Sequence, residues 1–89
     1  MKLLLVEDTI DIGESIQLYM EACGFEVVRV VTVGQAEKML ETTQFDCTII
    51  DWMLPDRSGV ELCQIIKNTH PALPVILETA KFQIDDKID

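Results

Sequence analysis

The sequence predicts an α/β fold built on a parallel sheet, and three observations carry that prediction. Short apolar runs recur along the chain: Leu3-Leu4-Leu5-Val6, Cys47-Thr48-Ile49-Ile50 and Pro74-Val75-Ile76-Leu77. Strands buried in a parallel sheet read as runs of this kind. Between them lie segments with apolar residues at helical spacing, and strands alternating with helices imply parallel pairing through right-handed crossovers. Each run also ends at acid: Glu7-Asp8, Asp51, and Glu78 followed by Thr79. Ligands of open α/β sheets bind at the carboxyl ends of the strands. Three carboxylates and a hydroxyl are therefore brought toward one small pocket.

The elements follow in order. Lys2–Val6 reads as the first strand. Residues 10–23 carry Ile12, Ile16, Tyr19, Met20 and Cys23 at helical spacing. Thr9 and Asp11 are both candidate caps for that helix. Gly24 suits the left-handed position just past its end. Residues 25–31 are strand-like, with β-branched Val27, Val28, Val30 and Val31. Thr32-Val33-Gly34-Gln35 has the capping-box pattern and opens a helix with Val33, Ala36, Met39 and Leu40 on one face. Cys47–Asp51 is the third strand. Ser58-Gly59-Val60-Glu61 is a second capping box and opens a helix to residue 68, stopped by His70-Pro71. Residues 74–78 form the fourth strand. Residues 82–89 read as the start of another helix.

Composition narrows the function classes. With 89 residues and 48% apolar content, the chain is one globular domain and not a disordered segment. A net charge of −9 excludes a nucleic-acid surface on this segment, because phosphate backbones demand Lys and Arg. Cys23, Cys47 and Cys63 form no CxxC pair and lie in apolar stretches, so they read as small buried hydrophobes of a reducing compartment. No stretch approaches the ~18 apolar residues of a membrane span. The N-terminal apolar run is too short for a signal-peptide core, and a cytoplasmic location is expected. Trp52, Met20, Met39 and Met53 read as packing residues, and His70 as a loop residue without a role.

Hard cations such as Mg²⁺ prefer oxygen ligands, which suits a cluster of Glu7, Asp8 and Asp51. On isolated acids the simpler reading is loop solvation or helix capping. The ordered set argues otherwise. Val6-Glu7-Asp8 after the first strand, Asp51 after the third, Pro55 and Gly59 beyond it, and Thr79-Ala80 after the fourth resemble the receiver domain of two-component response regulators. The run from Asp51 through Leu54-Pro55-Asp56 to Gly59 is most similar to receivers of the OmpR/PhoB type, and the resemblance spans the chain without a gap.

That resemblance implies a flavodoxin-like, three-layer αβα fold with strand order 2-1-3-4. It implies that Asp51 accepts a phosphoryl group from a sensor histidine kinase. Asp8, Asp51 and the backbone carbonyl of Met53 would hold Mg²⁺, with Glu7 acting through water. The Thr79 hydroxyl would bind a phosphoryl oxygen and move the output face. The implied output is transcription through a downstream DNA-binding domain, and the implied module is a phospho-acceptor with no catalytic residues of an enzyme. Receivers also carry a fifth strand, ending in a functional lysine, and a fifth helix. Their absence from this chain reads as a receiver truncated over residues 1–89, lacking on the order of 30 residues. Lys81 is not that lysine, and Glu78 stands where the family is usually apolar or small. Such a truncation is expected to leave residues 75–77 as an unpaired apolar edge, so that the chain is either unstable alone or associates through it as a strand-paired or swapped homodimer. Three other classes share part of this pattern: a free-standing chemotaxis-type receiver, a pseudo-receiver that is never phosphorylated, and an aspartyl-phosphate phosphatase. The last usually has a second Asp two residues after the nucleophile, where this chain has Met53.

Overall fold

The computed structural model describes residues 1–78. Thr79, Lys81 and the helix expected from residue 82 lie outside the described residues. Seven elements alternate: β1 (Lys2–Val6), α1 (Ile10–Ala22), β2 (Glu26–Val30), α2 (Val33–Thr42), β3 (Cys47–Asp51), α3 (Gly59–Thr69) and β4 (Val75–Glu78). The four strands form one parallel sheet in the order β2-β1-β3-β4, as expected. Leu3 pairs with both Val27 and Cys47, and Asp51 pairs with Glu78. These registers bring the ends of β1, β3 and β4 to one edge of the molecule.

The alternation of side chains along a strand divides the core in two. Leu4, Val6 and Ile50 face α2 and α3 and pack with Val33, Ala36, Leu40, Phe45, Leu62 and Ile66. Leu3, Leu5 and Ile49 face the other way, toward Ile16 and Met20 of α1. The four apolar residues of β1 are wholly buried, because β1 lies inside the sheet with helices on both sides. Each such Leu contributes about 1.5–3 kcal/mol by leaving water.

The helix ends show how the sequence sets the boundaries. Gly24 adopts φ +98°, the left-handed conformation that favours glycine. Its N–H donates to the Glu21 carbonyl at 3.0 Å, and the Phe25 N–H donates to the Met20 carbonyl at 3.1 Å, a Schellman motif. The strand after it begins at Glu26, one residue later than expected, since Phe25 is used in this turn. Val31 is likewise lost from β2. Its N–H donates to the Gln35 side chain at 2.8 Å instead of a ladder. Thr32 Oγ1 accepts from the Gln35 N–H at 3.0 Å, so this capping box forms with its return bond shifted by one residue. The second box forms only in part. Ser58 Oγ accepts from the Val60 N–H at 3.1 Å, while the Glu61 carboxylate accepts from the Arg57 guanidinium.

Several side chains depart from expectation. The inward stripe of α1 is Gly13, Ile16 and Met20. Tyr19, one residue off that stripe, is 69% exposed. Gly13 is the buried residue of that stripe. A Cβ there would lie 2.7 Å from the Arg29 guanidinium, so α1 approaches β2 over a glycine. Cys23 is exposed and Cys47 and Cys63 are half-buried, which corrects the reading of three buried thiols. Burial pushes the Cys63 thiol above its ordinary value, with Lys67 opposing, and so keeps it protonated. Trp52 is 39% exposed and Met53 is 53% exposed, because β3 has ended and their loop lies outside the core. On β4, Ile76 and Leu77 are exposed.

One buried polar group stands out. Thr48 on β3 is fully buried, and its hydroxyl has no hydrogen-bond partner among the described residues. An unsatisfied buried hydroxyl costs about 1–3 kcal/mol. Thr48→Val retains the shape without that cost and is expected to stabilise the protein by about 1 kcal/mol, read as a higher urea midpoint at unchanged slope. A lower midpoint would show that the hydroxyl is satisfied.

Candidate functional site

Asp51 is the last residue of β3 and is completely buried. Glu7 and Asp8 follow β1, the strand beside it, with Glu7 only 1% exposed and Asp8 half-buried. One carboxylate oxygen from each of Glu7, Asp8 and Asp51 lies within 4.8 Å of the others. The topology makes this cluster, since parallel neighbours end at the same side. The Thr9 N–H donates to a Glu7 carboxylate oxygen at 2.9 Å, which folds the β1–α1 connection back over the cluster. Thr9 is thus the first residue before α1 by position, but its side chain makes no capping bond.

The loop between β3 and α3 forms the other wall. The Gly59 N–H donates to the Trp52 carbonyl at 2.7 Å, and Met53 and Ser58 form an isolated antiparallel bridge. The Trp52 N–H donates to the Glu78 carbonyl at 3.0 Å, so β4 supports the same loop. Gly59 is required for space. A Cβ there would lie 2.0 Å from the carbonyl oxygen of Asp51.

The cluster has the chemistry of a hard-cation site. Its donors are all oxygen, as Mg²⁺ and Ca²⁺ prefer, and it lacks the His or Cys of a soft-metal centre. Like charges so close repel, and a divalent cation relieves that repulsion. The structure therefore brings together Glu7, Asp8 and Asp51, places Met53 on the adjoining loop, and leaves Thr79 outside the described residues. A groove of about 340 Å³ lies at the opposite end of the strands, between Phe45 and Pro74, and carries none of these groups.

The response regulator receiver domain family matches residues 3–89 of the chain. The chain belongs to that family. This receiver is 35% identical to the response regulator RppA of Synechocystis, over 100% of this chain and 39% of RppA. It is 34% identical to the phosphate regulon transcriptional regulatory protein PhoB of Pseudomonas aeruginosa, over 97% of this chain and 38% of PhoB. It thus spans about two fifths of the length of the curated relatives it matches. Solved receivers share the fold. The non-phosphorylated HemR receiver domain of Leptospira biflexa superposes with TM-score 0.82 at 29% identity, over 98% of this chain and 70% of that one. The MaeR response regulator bound to beryllium trifluoride gives 0.82 at 25%, over 98% and 75%. A chain of the complex between the histidine kinase ThkA and the response regulator TrrA gives 0.83 at 26%, over 89% and 68%.

Two residues of the receiver escaped the sequence reading. Asp56 accepts from the N–H groups of Val33 and Gly34, at 2.9 and 3.0 Å, and so caps α2 from a distant loop. The Val33 N–H first, and then those of Gly34 and Arg57, hold its carboxyl below the usual carboxylate range. Arg57 pairs with Glu37 of α2 and with Glu61 of α3. A Pro-Asp pair marks a turn, but no sequence-local signal names a partner 22 residues away.

Proposed function

We propose that the receiver takes a phosphoryl group from a sensor histidine kinase onto Asp51 in a Mg²⁺-dependent reaction, and that its output is transcription through a DNA-binding domain that follows it. The observation that carries this reading is the buried Asp51 carboxylate at the end of β3, with Glu7 and Asp8 within 4.8 Å. The solved complex of TrrA with a histidine kinase supports the donor, and the similarity to the transcriptional regulator PhoB supports the output.

The chemistry follows from the residues. An ionised carboxylate needs no general base to act as a nucleophile. Asp51 attacks the phosphorus of a phosphohistidine, the new O–P bond forms as the P–N bond breaks, and the imidazole leaves with the bond's electron pair and takes up a proton. In-line approach and neutralisation of the phosphoryl oxygens set the rate of such a transfer. The strand end and the Gly59 contact hold Asp51 against the backbone, so the nucleophile arrives oriented. Asp8, Asp51 and the Met53 carbonyl would hold Mg²⁺, with Glu7 reached through water, and the ion supplies the positive charge that lets a phosphoryl group enter a site of three carboxylates. Thr79 donates its hydroxyl to a phosphoryl oxygen and carries the change to the output face. The absence of a signal-like or membrane-length apolar run supports a cytoplasmic location.

Incubation of the complete receiver with Mg²⁺ and acetyl phosphate is expected to add one phosphate by mass spectrometry. Asp51→Asn is expected to lose it completely. Equal labelling of that variant would overturn the assignment.

A further inference from the structure

Between Asp51 and α3 the chain makes a loop whose base and tip are held separately. The base is held by the Gly59–Trp52 hydrogen bond and the Met53–Ser58 bridge. The tip is Asp56-Arg57, and its hydrogen bonds reach α2. Both oxygens of Asp56 are used: Oδ1 accepts from the Val33 N–H at 2.9 Å and Oδ2 from the Gly34 N–H at 3.0 Å. Helix α2 has no acid in its own first turn, so Asp56 supplies the negative charge that a helix start favours. Thr32 Oγ1 takes the next N–H, of Gln35, and the start of α2 is then fully satisfied. Val33 is wholly buried, so its N–H has no recourse to bulk water.

The link from the tip to the site is short and stiff. Pro55 fixes its own φ and restricts Leu54 to extended backbone. Leu54 is itself packed against the core. Movement of Asp56 is thereby passed through two constrained residues to Met53.

We propose that Asp56 is a positioning residue for the cation site: by clasping the start of α2 it fixes the β3–α3 loop, and so sets the place of the Met53 carbonyl and the affinity for Mg²⁺. This rests on the reading that Glu7, Asp8, Asp51 and Met53 form that site. The coupling is reciprocal by linkage. Cation binding at one end of the loop tightens the clasp at the other, so α2 senses the occupancy of the site.

The test is a Mg²⁺ titration of the folded chain followed by emission of Trp52, its only tryptophan. Far-UV circular dichroism selects a temperature at which each variant is fully folded. Asp56→Ala is expected to weaken Mg²⁺ binding about tenfold, the lower range for residues that support metal ligands. Asp56→Asn keeps one acceptor and is expected to lose roughly threefold, about half that effect on a free-energy scale. Arg57→Ala removes only half-exposed ion pairs, to Glu37 and Glu61, and is expected to change affinity less than about twofold. A purely structural cap would lower the melting temperature and leave the dissociation constant alone. Unchanged affinity in a folded Asp56→Ala protein overturns the proposal while leaving the cation site intact. If Asp56→Ala does not fold, Asp56→Asn decides, and wild-type affinity there overturns it equally. A wild-type protein without any Mg²⁺ response overturns the site and the proposal together. Hydrogen exchange gives the independent arm: Mg²⁺ is expected to slow exchange of the Val33 and Gly34 amides in the wild type. No slowing, with Mg²⁺ bound, contradicts the coupling.

Discussion

Gly59→Ala is expected to lower stability by about 3 kcal/mol or more, at the upper end of overpacking costs. The added Cβ would sit 2.0 Å from the Asp51 carbonyl oxygen, 2.9 Å from its carbonyl carbon and 3.0 Å from a methyl of Ile50. Two of these neighbours are backbone of a buried strand end, so no rotamer change relieves the clash. Either α3 retreats and breaks the bond from Gly59 to Trp52, or β3 moves and takes Asp51 with it. The backbone of Gly59 does not have positive φ, so the demand is for space alone. A domain of this size loses roughly 4–8 °C per kcal/mol, giving a fall of roughly 12–24 °C. Gly34→Ala is the contrast. Its Cβ would meet nothing nearer than 3.7 Å, and alanine at that helical position is expected to gain about 0.5–1 kcal/mol. Paired urea melts check both signs. A Gly59→Ala protein within about 0.5 kcal/mol of wild type, the range of neutral surface changes, would show that the strand end yields freely.

Asp51→Asn is expected to have opposite effects on function and on stability. Three carboxylates within 4.8 Å, two of them buried, repel at a cost on the order of 3 kcal/mol per pair for an effective dielectric near 20. Neutralising Asp51 removes two of those pairs. The variant is expected to be about 2 kcal/mol more stable than wild type without divalent cation, after allowing for lost hydrogen bonding. Mg²⁺ should narrow the difference. At ten times its dissociation constant a ligand stabilises by about 1.4 kcal/mol, or roughly 6–11 °C here, and Asp51→Asn is expected to forgo most of that gain. Thermal melts of both proteins, with and without Mg²⁺, separate the terms. A variant less stable than wild type in the absence of cation would refute the repulsion.

The parts of the fold that could be read from sequence were those whose signal is local. Lys2–Val6 and Cys47–Asp51 are uninterrupted apolar runs, and both strands have the expected bounds. Gly24 was legible because a single residue type answers the need for a left-handed turn. The inward face of α1 was not. Tyr19 and Cys23 have apolar character and suitable spacing, but the stripe that faces the sheet is Gly13, Ile16 and Met20, and both lie exposed beside it. Glu61 fits the pattern of a capping box, yet a guanidinium four residues earlier competes for it. The acid cluster was legible because two neighbouring strand ends share one side of a parallel sheet. Asp56 was not, since its meaning depends on a helix start contributed from elsewhere in the chain.

The strand Lys2–Val6 has a further consequence for how the protein is made. It is synthesised before its neighbour β3, which begins 44 residues after the paired position Leu3. Until Cys47–Asp51 is synthesised, one hydrogen-bonding edge of the apolar run Leu3–Val6 waits without its partner, the situation in which chains aggregate. Charged residues beside such a segment act as gatekeepers against pairing with other molecules. Glu7 and Asp8 stand at that position. The acids that gather at the end of the sheet in the finished protein are thus also the charges that flank its apolar first strand in the growing chain.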